Sequence, residues 1–252
     1  MSHPQAYHRP TSLEDALELL SRQGVATAVL AGGTRLNGDL ALQALAPAPD
    51  ELVDLQDLGL DQVSHGDNRL SLGAMVRIQT VVDDEDAPAL LRDTARREGP
   101  NTLRHAGTVG GAIAAASPES ELLAALLVYN ADVTLRTTAG GHTMPLSDFL
   151  VDVAIHLRQA ILTGVALETD GPTAHDRVAR TPQDSPIVAA VARRKGNNAR
   201  LALCGVAPTP ILVGPDDIAG LDPPADFRGG SAYRKQMARI LSRRVLDELK
   251  DN

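Results

Sequence analysis

The sequence predicts an α+β protein, and three patterns predict it: a capped amphipathic helix leading into strand-like runs, a hairpin turned on glycine and asparagine, and a long striped helix at the end. After Pro10, Thr11-Ser-Leu-Glu14 reads as a capping box. Leu13, Ala16, Leu17 and Leu20 then recur at helical spacing until Gly24. Val25 to Leu30 reads as a strand running into Ala31-Gly32-Gly33-Thr34. Leu52 to Leu55 reads as a second strand behind Pro47 and Pro49, so residues 7–55 make a small α/β unit. Alternation at Leu70, Leu72 and Ala74 marks another strand, followed by a largely helical run from Met75 to Arg97 whose acidic turn, Asp83 to Asp86, is a solvated surface. Residues 99–111 are punctuated by glycine, and a helix starts at Pro118 with acidic residues in its first turn. Asp132 to Arg136 is a strand closed by a Gly140-Gly141 turn, and Ile187 to Val191 pairs with Ala199 to Leu203 across Gly196-Asn-Asn198. The last helix carries the stripe Tyr233, Met237, Ile240, Leu241, Val245 and Leu249. Between residues 228 and 250 seven cationic side chains stand against two carboxylates, most simply a solvated helix face.

With 252 residues, 43% of them apolar, the chain is long enough to bury roughly three quarters of its extended surface. The formal charge of −8 gives no general attraction to nucleic acid or to an anionic membrane, and three Tyr, two Phe and no Trp leave little for base stacking. The single cysteine, Cys204, excludes an internal disulfide, an intrinsic four-cysteine iron–sulfur cluster and a cysteine-rich zinc site. Met1 to Pro4 lacks the basic and apolar regions of a secretory signal, and no apolar run reaches a membrane span. The expectation is a soluble cytoplasmic protein with no transmembrane segment.

Two glycine loops carry the chemistry. Ala31 to Thr34 and Gly107-Thr-Val-Gly-Gly111 each offer backbone N–H groups uncovered by side chains, which suits close wrapping of phosphate oxygens. Neither is GxGxxG nor GxxxxGK[ST], so the ordinary dinucleotide fold and the P-loop are disfavoured, and the pair reads as two loops of one site. The seven histidines, at 3, 8, 65, 105, 142, 156 and 175, form no HExxH and no close pair with acidic support, so no metal ligand is assigned. Ser117 and Ser120 lack a GxSxG setting, and Cys204 reads as a small buried hydrophobe; no catalytic side chain is assigned.

In order and spacing, several segments resemble the FAD-binding medium subunit of molybdenum hydroxylases, the xanthine dehydrogenase and carbon monoxide dehydrogenase type. They are residues 7–20, Val29 to Thr34, Leu52 to Leu55, Leu72 to Ala74, Leu103 to Pro118, Ala179 to Asp184, Gly205 to Pro210 and Arg228 to Arg234. The resemblance implies a PCMH-like FAD-binding fold of two subdomains, 1–58 and 59–168, and a C-terminal domain, 169–252, of antiparallel sheet and helix. It implies FAD contacts from the first loop at Leu30, Ala31, Gly32, Gly33, Thr34, Arg35 and Leu36, and from the second at His105, Thr108, Gly110 and Gly111. Ala115, Ser117 and Glu121 would run beside the ribityl and pyrophosphate groups, with Arg177 and Asp184 near the flavin. It implies partners too: a small iron–sulfur subunit and a large molybdopterin subunit, with electrons leaving through FAD to NAD or another acceptor.

Four positions depart from the family pattern. Arg35 replaces Asp or Asn, Ala112 replaces Asn, Glu121 replaces Asp and Arg177 replaces Lys. Arginine offers only donors and alanine neither donor nor acceptor, and a lost amide costs about 1–3 kcal/mol where its partner stays buried. Residues 149–166, where the resemblance implies aromatic, glycine and Gly-Glu signals near the isoalloxazine, carry one Phe, Phe149, one glycine, Gly164, and no Gly-Glu pair. These changes motivate the alternative, a noncatalytic structural or assembly subunit of the same family that has lost FAD.

Overall fold

The computed structural model describes residues 4–45 and 47–251, so the expectations placed on Met1 to His3 lie outside the described residues. The chain begins with β1 (Ala6–His8), α1 (Leu13–Ser21), β2 (Thr27–Leu30), α2 (Leu36–Ala41) and β3 (Glu51–Asp54), whose strands form a parallel sheet in the order β1-β3-β2. The helix cap sits one residue later than the capping box predicts. Ser12 has the extended backbone of a cap residue, and its Oγ accepts from the Asp15 N–H at 3.1 Å. Ala16 and Leu17 of α1 are buried with Val53 and Leu55, the packing that holds the helix on this sheet.

Next come β4 (Val63–Gly66), β5 (Arg69–Gly73), α3 (Ile78–Asp83), α4 (Ala89–Arg97), α5 (Asn101–Ala106), α6 (Val109–Ala115) and α7 (Glu121–Val128). They are followed by β6 (Asp132–Thr137), β7 (Gly140–Pro145), α8 (Leu146–Phe149), α9 (Val153–His156) and β8 (Ile161–Glu168). The five strands pair antiparallel in the order β4-β5-β8-β6-β7. Two starts differ from expectation. The second glycine loop is mostly helix: Thr108 caps α6 by accepting from the Gly111 N–H at 3.0 Å. Helix α7 starts at Glu121 rather than Pro118, because residues 117–120 form a turn closed by Ser120 N–H to Ser117 O at 3.1 Å, and Ser120 becomes the cap.

The remaining elements are β9 (Thr173–Val178), β10 (Val188–Lys195), β11 (Asn198–Cys204), β12 (Ile211–Leu212) and, after a 3-10 turn at Asp217–Gly220, α10 (Ser231–Asp251). The strands pair antiparallel as β12-β11-β10-β9. The β10–β11 turn is Gly196-Asn197, with Lys195 opposite Asn198 and Gly196 at φ +57°. Strand β10 explains its apolar run by facing two partners. Ala189 and Val191 join the cluster containing α7, whereas Val188, Ala190 and Ala192 join the cluster containing α10. Every residue of α7 is buried in that position.

The terminal stripe is shifted from the expected one. Ala238, Leu241, Val245 and Leu249 are buried, whereas Tyr233 and Ile240 are 40% and 36% exposed. Arg234 draws the helix round: its Nη1 donates to the carbonyls of Ile187 and Gly205, both at 2.8 Å, and it pairs with Asp226 at 2.7 Å.

A second buried arginine ties the β10–β11 sheet to the end of α7. Arg193 is 2% exposed, donates to Asp170 O at 2.6 Å, Val128 O at 3.3 Å and Glu168 Oε2 at 3.0 Å, and lies 5.5 Å from the Tyr129 ring centre. Burial pushes the Glu168 carboxyl up, but hydrogen bonds from Lys195, Arg193 and Asn130 outweigh it and hold the group down from 4.5 to about 2. A depressed carboxyl stabilises the folded state above its unfolded pKa and loses that contribution as pH falls through its folded value. Stability measured by circular dichroism should therefore decline from about pH 4.5 towards 2. Glu168→Gln should flatten that decline; equal acid profiles for the two proteins would refute the assignment.

Candidate functional site

The two glycine loops meet on one cavity of about 830 Å³, within the usual range of about 300–1,000 Å³ for small-molecule and cofactor sites. One wall is the segment after β2, from Ala31 to Leu36. A second is the start and inner face of α6, including Thr108, Gly110, Gly111 and Ala115; a third is Leu157 to Leu162, which leads into β8. Close contact with neighbouring segments dictates glycine at one point on each of the first two walls. A Cβ on Gly32 would run into the Ala106 carbonyl oxygen and lie 2.9 Å from Gly107 Cα, and one on Gly110 would lie 2.6 Å from Ala74 Cβ. Gly33 needs its residue type for another reason, a φ of +69°. Among the described residues, the N–H groups of Gly32, Gly33 and Thr34 donate to no backbone carbonyl, so they remain available at the cavity wall.

Charge at this cavity runs against that of the chain. Four arginines, Arg22, Arg35, Arg104 and Arg158, line it against two carboxylates, Asp39 and Glu98, in a protein of net charge −8. Arg35 spans the two walls: its Nη1 donates to Ala115 O at 2.8 Å and its Nε lies 3.5 Å from Asp39. Ala112 lines the cavity too, without an amide to offer. The arginine thus makes a cross-loop bond for which a carboxylate has no donor.

The structure gathers ten of the residues implied by resemblance on this cavity: Ala31 to Leu36, together with Thr108, Gly110, Gly111 and Ala115. Leu30, His105, Ser117, Glu121, Arg177 and Asp184 do not line it. Leu30 ends β2, with its carbonyl accepting from Leu55 N–H at 3.0 Å. His105 is exposed on α5, and Ser117 belongs to the turn before α7.

The other three come together in a separate polar cluster. Glu121, 2% exposed, lies 2.5 Å from His175 Nε2, 3.1 Å from Arg177 Nε and 3.4 Å from Arg97 Nη1. Arg177 also donates to the carbonyls of Pro182, at 2.9 Å, and Asp184, which fixes the 177–184 loop. Glu98 connects the cluster to the cavity: it lines the cavity, and its Oε1 accepts from Ser120 Oγ at 2.6 Å and Leu122 N–H at 3.3 Å. Burial pushes the Glu98 carboxyl above its ordinary range, and pushes the nearby Cys204 thiol well up, leaving that thiol unreactive.

Sequence reading missed His175, Arg97, Glu98 and Arg158, since each is brought in by the fold from a segment without a motif. It also missed carboxylate partners for histidines. Besides His175, His8 pairs with Glu51 at 2.9 Å and His65 with Asp84 at 3.0 Å, near Asp86. All are tertiary pairings that no local spacing reveals.

With this geometry in view, residues 2–167 match the family described as the FAD binding domain in molybdopterin dehydrogenase. The uncharacterized protein YgfM of Escherichia coli strain K12 is 30% identical, over 94% of this chain and 93% of its own length. The glyceraldehyde dehydrogenase medium chain of Sulfolobus acidocaldarius is 27% identical, over 97% of this chain and 98% of its own. Reconstituted CO dehydrogenase from Oligotropha carboxidovorans contains a chain that superposes with a TM-score of 0.86 at 26% identity, covering 100% of this chain and 99% of that one. Among the described residues, no helix is long and apolar enough to cross a membrane. The chain belongs to the FAD-binding medium subunits of the molybdenum hydroxylases, the flavoprotein components of molybdopterin-dependent dehydrogenases.

Proposed function

We propose that this chain binds FAD between its two glycine loops and serves as the electron-transfer subunit of a cytoplasmic molybdenum hydroxylase complex. In this reading it takes electrons from the iron–sulfur clusters of a small subunit, themselves reduced by a large molybdopterin subunit, and delivers them to NAD or another acceptor. The observation that carries the reading is the cavity where the loops converge, with free backbone N–H groups and an excess of arginine in an acidic chain. FAD supplies reversible hydride and single-electron chemistry when bound.

The residues present fit that group. The free N–H groups of Gly32, Gly33 and Thr34 would hold the diphosphate against the wall made by Thr108, Gly110 and Gly111, where the lack of side chains on the glycines allows close approach, with Arg35 closing over it from the cross-loop position. Ala31, Leu36 and Ala115 would pack along it. Glu121, Arg177 and Asp184 would stand towards the flavin end, with Arg177 fixing the Asp184 loop. Domains at 1–58, 59–168 and 169–252 would then place all three cavity walls in the two FAD subdomains and the Arg177 loop in the third domain.

The test is the visible absorbance of gently purified protein, with the released cofactor identified by mass. Near-stoichiometric FAD is expected. Protein that stays colourless even after incubation with FAD would reverse the conclusion and favour a noncatalytic subunit, the reading that Arg35 and Ala112 motivate.

A further inference from the structure

Of the four arginines on the cavity, three are already engaged. Arg22 pairs with Glu51, Arg35 with Ala115 O and Asp39, and Arg104 with Gln79, Arg96 O and Gly99 O. Arg158 is different: among the described residues its side chain makes no hydrogen bond or ion pair. It is exposed at the third wall, between Leu157, which lines the cavity, and Gln159, a non-glycine residue held at φ +56°. Ala160 and Ile161, directly beyond, are buried, so the guanidinium extends from a fixed strand entry rather than from a loose loop. A left-handed non-glycine residue beside a free cation, at the wall of an anion-suited cavity, has the pattern of a ligand clamp.

We infer that Arg158 is a second cation, besides Arg35, that grips the cofactor's diphosphate, from the third wall, which belongs to neither glycine loop. The inference rests on the FAD reading above and adds a contact that neither loop contains. All five guanidinium donors are free, and the planar fork suits two oxygens of a diphosphate at once. The surrounding wall is largely aliphatic, so the charge interacts across a medium less polarisable than bulk water. Because Arg158 supports nothing else in the fold, its replacement should leave stability unchanged.

The experiment is titration of apoprotein with FAD, followed by quenching of flavin fluorescence at low and high salt, for wild type, Arg158→Gln and Arg158→Lys. Thermal unfolding of each apoprotein checks the fold. Arg158→Gln is expected to weaken FAD binding roughly 10- to 100-fold, the worth of a hydrogen-bonded charge, with Arg158→Lys in between. The salt dependence should be shallower for Arg158→Gln, with no change in melting temperature. Wild-type protein that binds FAD while Arg158→Gln binds within twofold of it overturns this inference alone. Equal salt dependence, or a lowered melting temperature accounting for the loss, also overturns it. Wild-type protein that binds no FAD overturns the FAD reading and this inference together.

Discussion

Gly32→Ala is expected to eliminate measurable FAD binding and to destabilise the fold by about 1–3 kcal/mol or more, the range for forcing extra volume into a packed contact. The added methyl would meet the Ala106 carbonyl oxygen and lie 2.9 Å from Gly107 Cα, and both obstacles are backbone. A flexible side chain moves aside cheaply; this backbone cannot, because Gly107 N–H donates to Leu103 O and Gly107 O accepts from Ile78 N–H at 3.0 Å. The first loop must therefore move away from α6, which widens the cradle and carries the undonated N–H groups of Gly32, Gly33 and Thr34 away from the second wall. Gly38→Ala is the matched control. It lies on α2, six residues on, with nothing within 4 Å of its added Cβ, and should be neutral or slightly stabilising because alanine favours the helix. The check is FAD titration together with urea unfolding. Gly32→Ala binding FAD as wild type does would mean that the two loops do not share a ligand.

The glycines were legible in the sequence because a backbone that must come close or turn left leaves a residue type that has few substitutes. The β10–β11 hairpin was legible for the same reason, through Gly196. Strand β8 was not, although it is the centre of the five-stranded sheet. Gly164 interrupts its alternation, and pairing with β6 slips between Thr134, opposite Gly164, and Leu135, opposite Leu162. The extra residue, Thr163, makes a bulge, and a bulge breaks the period of two on which strand reading depends. Arg234 misled in another way. Its charge predicts a solvated face, but the carbonyls of Ile187 and Gly205 take it into the core, which turns Tyr233 outward. The site divides along the same line: its glycine walls follow from local backbone demands, whereas Arg158, His175 and Glu98 come from segments whose meeting only the tertiary fold determines.

Glu121→Ala is expected to cost about 3–5 kcal/mol, because it removes the buried carboxylate that meets Arg97, His175 and Arg177 and leaves the largely buried Arg177 guanidinium without that counter-charge. Against a total stability of about 5–15 kcal/mol for a domain, that loss would bring the protein close to unfolding. Glu121→Gln keeps the shape and a hydrogen-bonding oxygen, so it should cost less, about 1–3 kcal/mol. The more informative variant is Glu121→Asp, the residue that the resemblance implies at this position. Shortening the side chain by one methylene withdraws the carboxylate from His175, now at 2.5 Å, while Arg177 is long enough to follow it. Arg177 that follows must loosen its bonds to the Pro182 and Asp184 carbonyls, so the 177–184 loop should lose protection from amide exchange even where global stability changes little. Urea unfolding of all three variants, with hydrogen exchange on Glu121→Asp, checks the order Ala, Gln, Asp. If Glu121→Ala lies within about 1 kcal/mol of wild type, the cluster contributes little, and the Arg177 guanidinium must find another partner. If the expected order holds, the glutamate at this position belongs with the arginine at 177 and the histidine at 175: a longer acid spans to two strand residues, and the loop carrying Asp184 is held by that span.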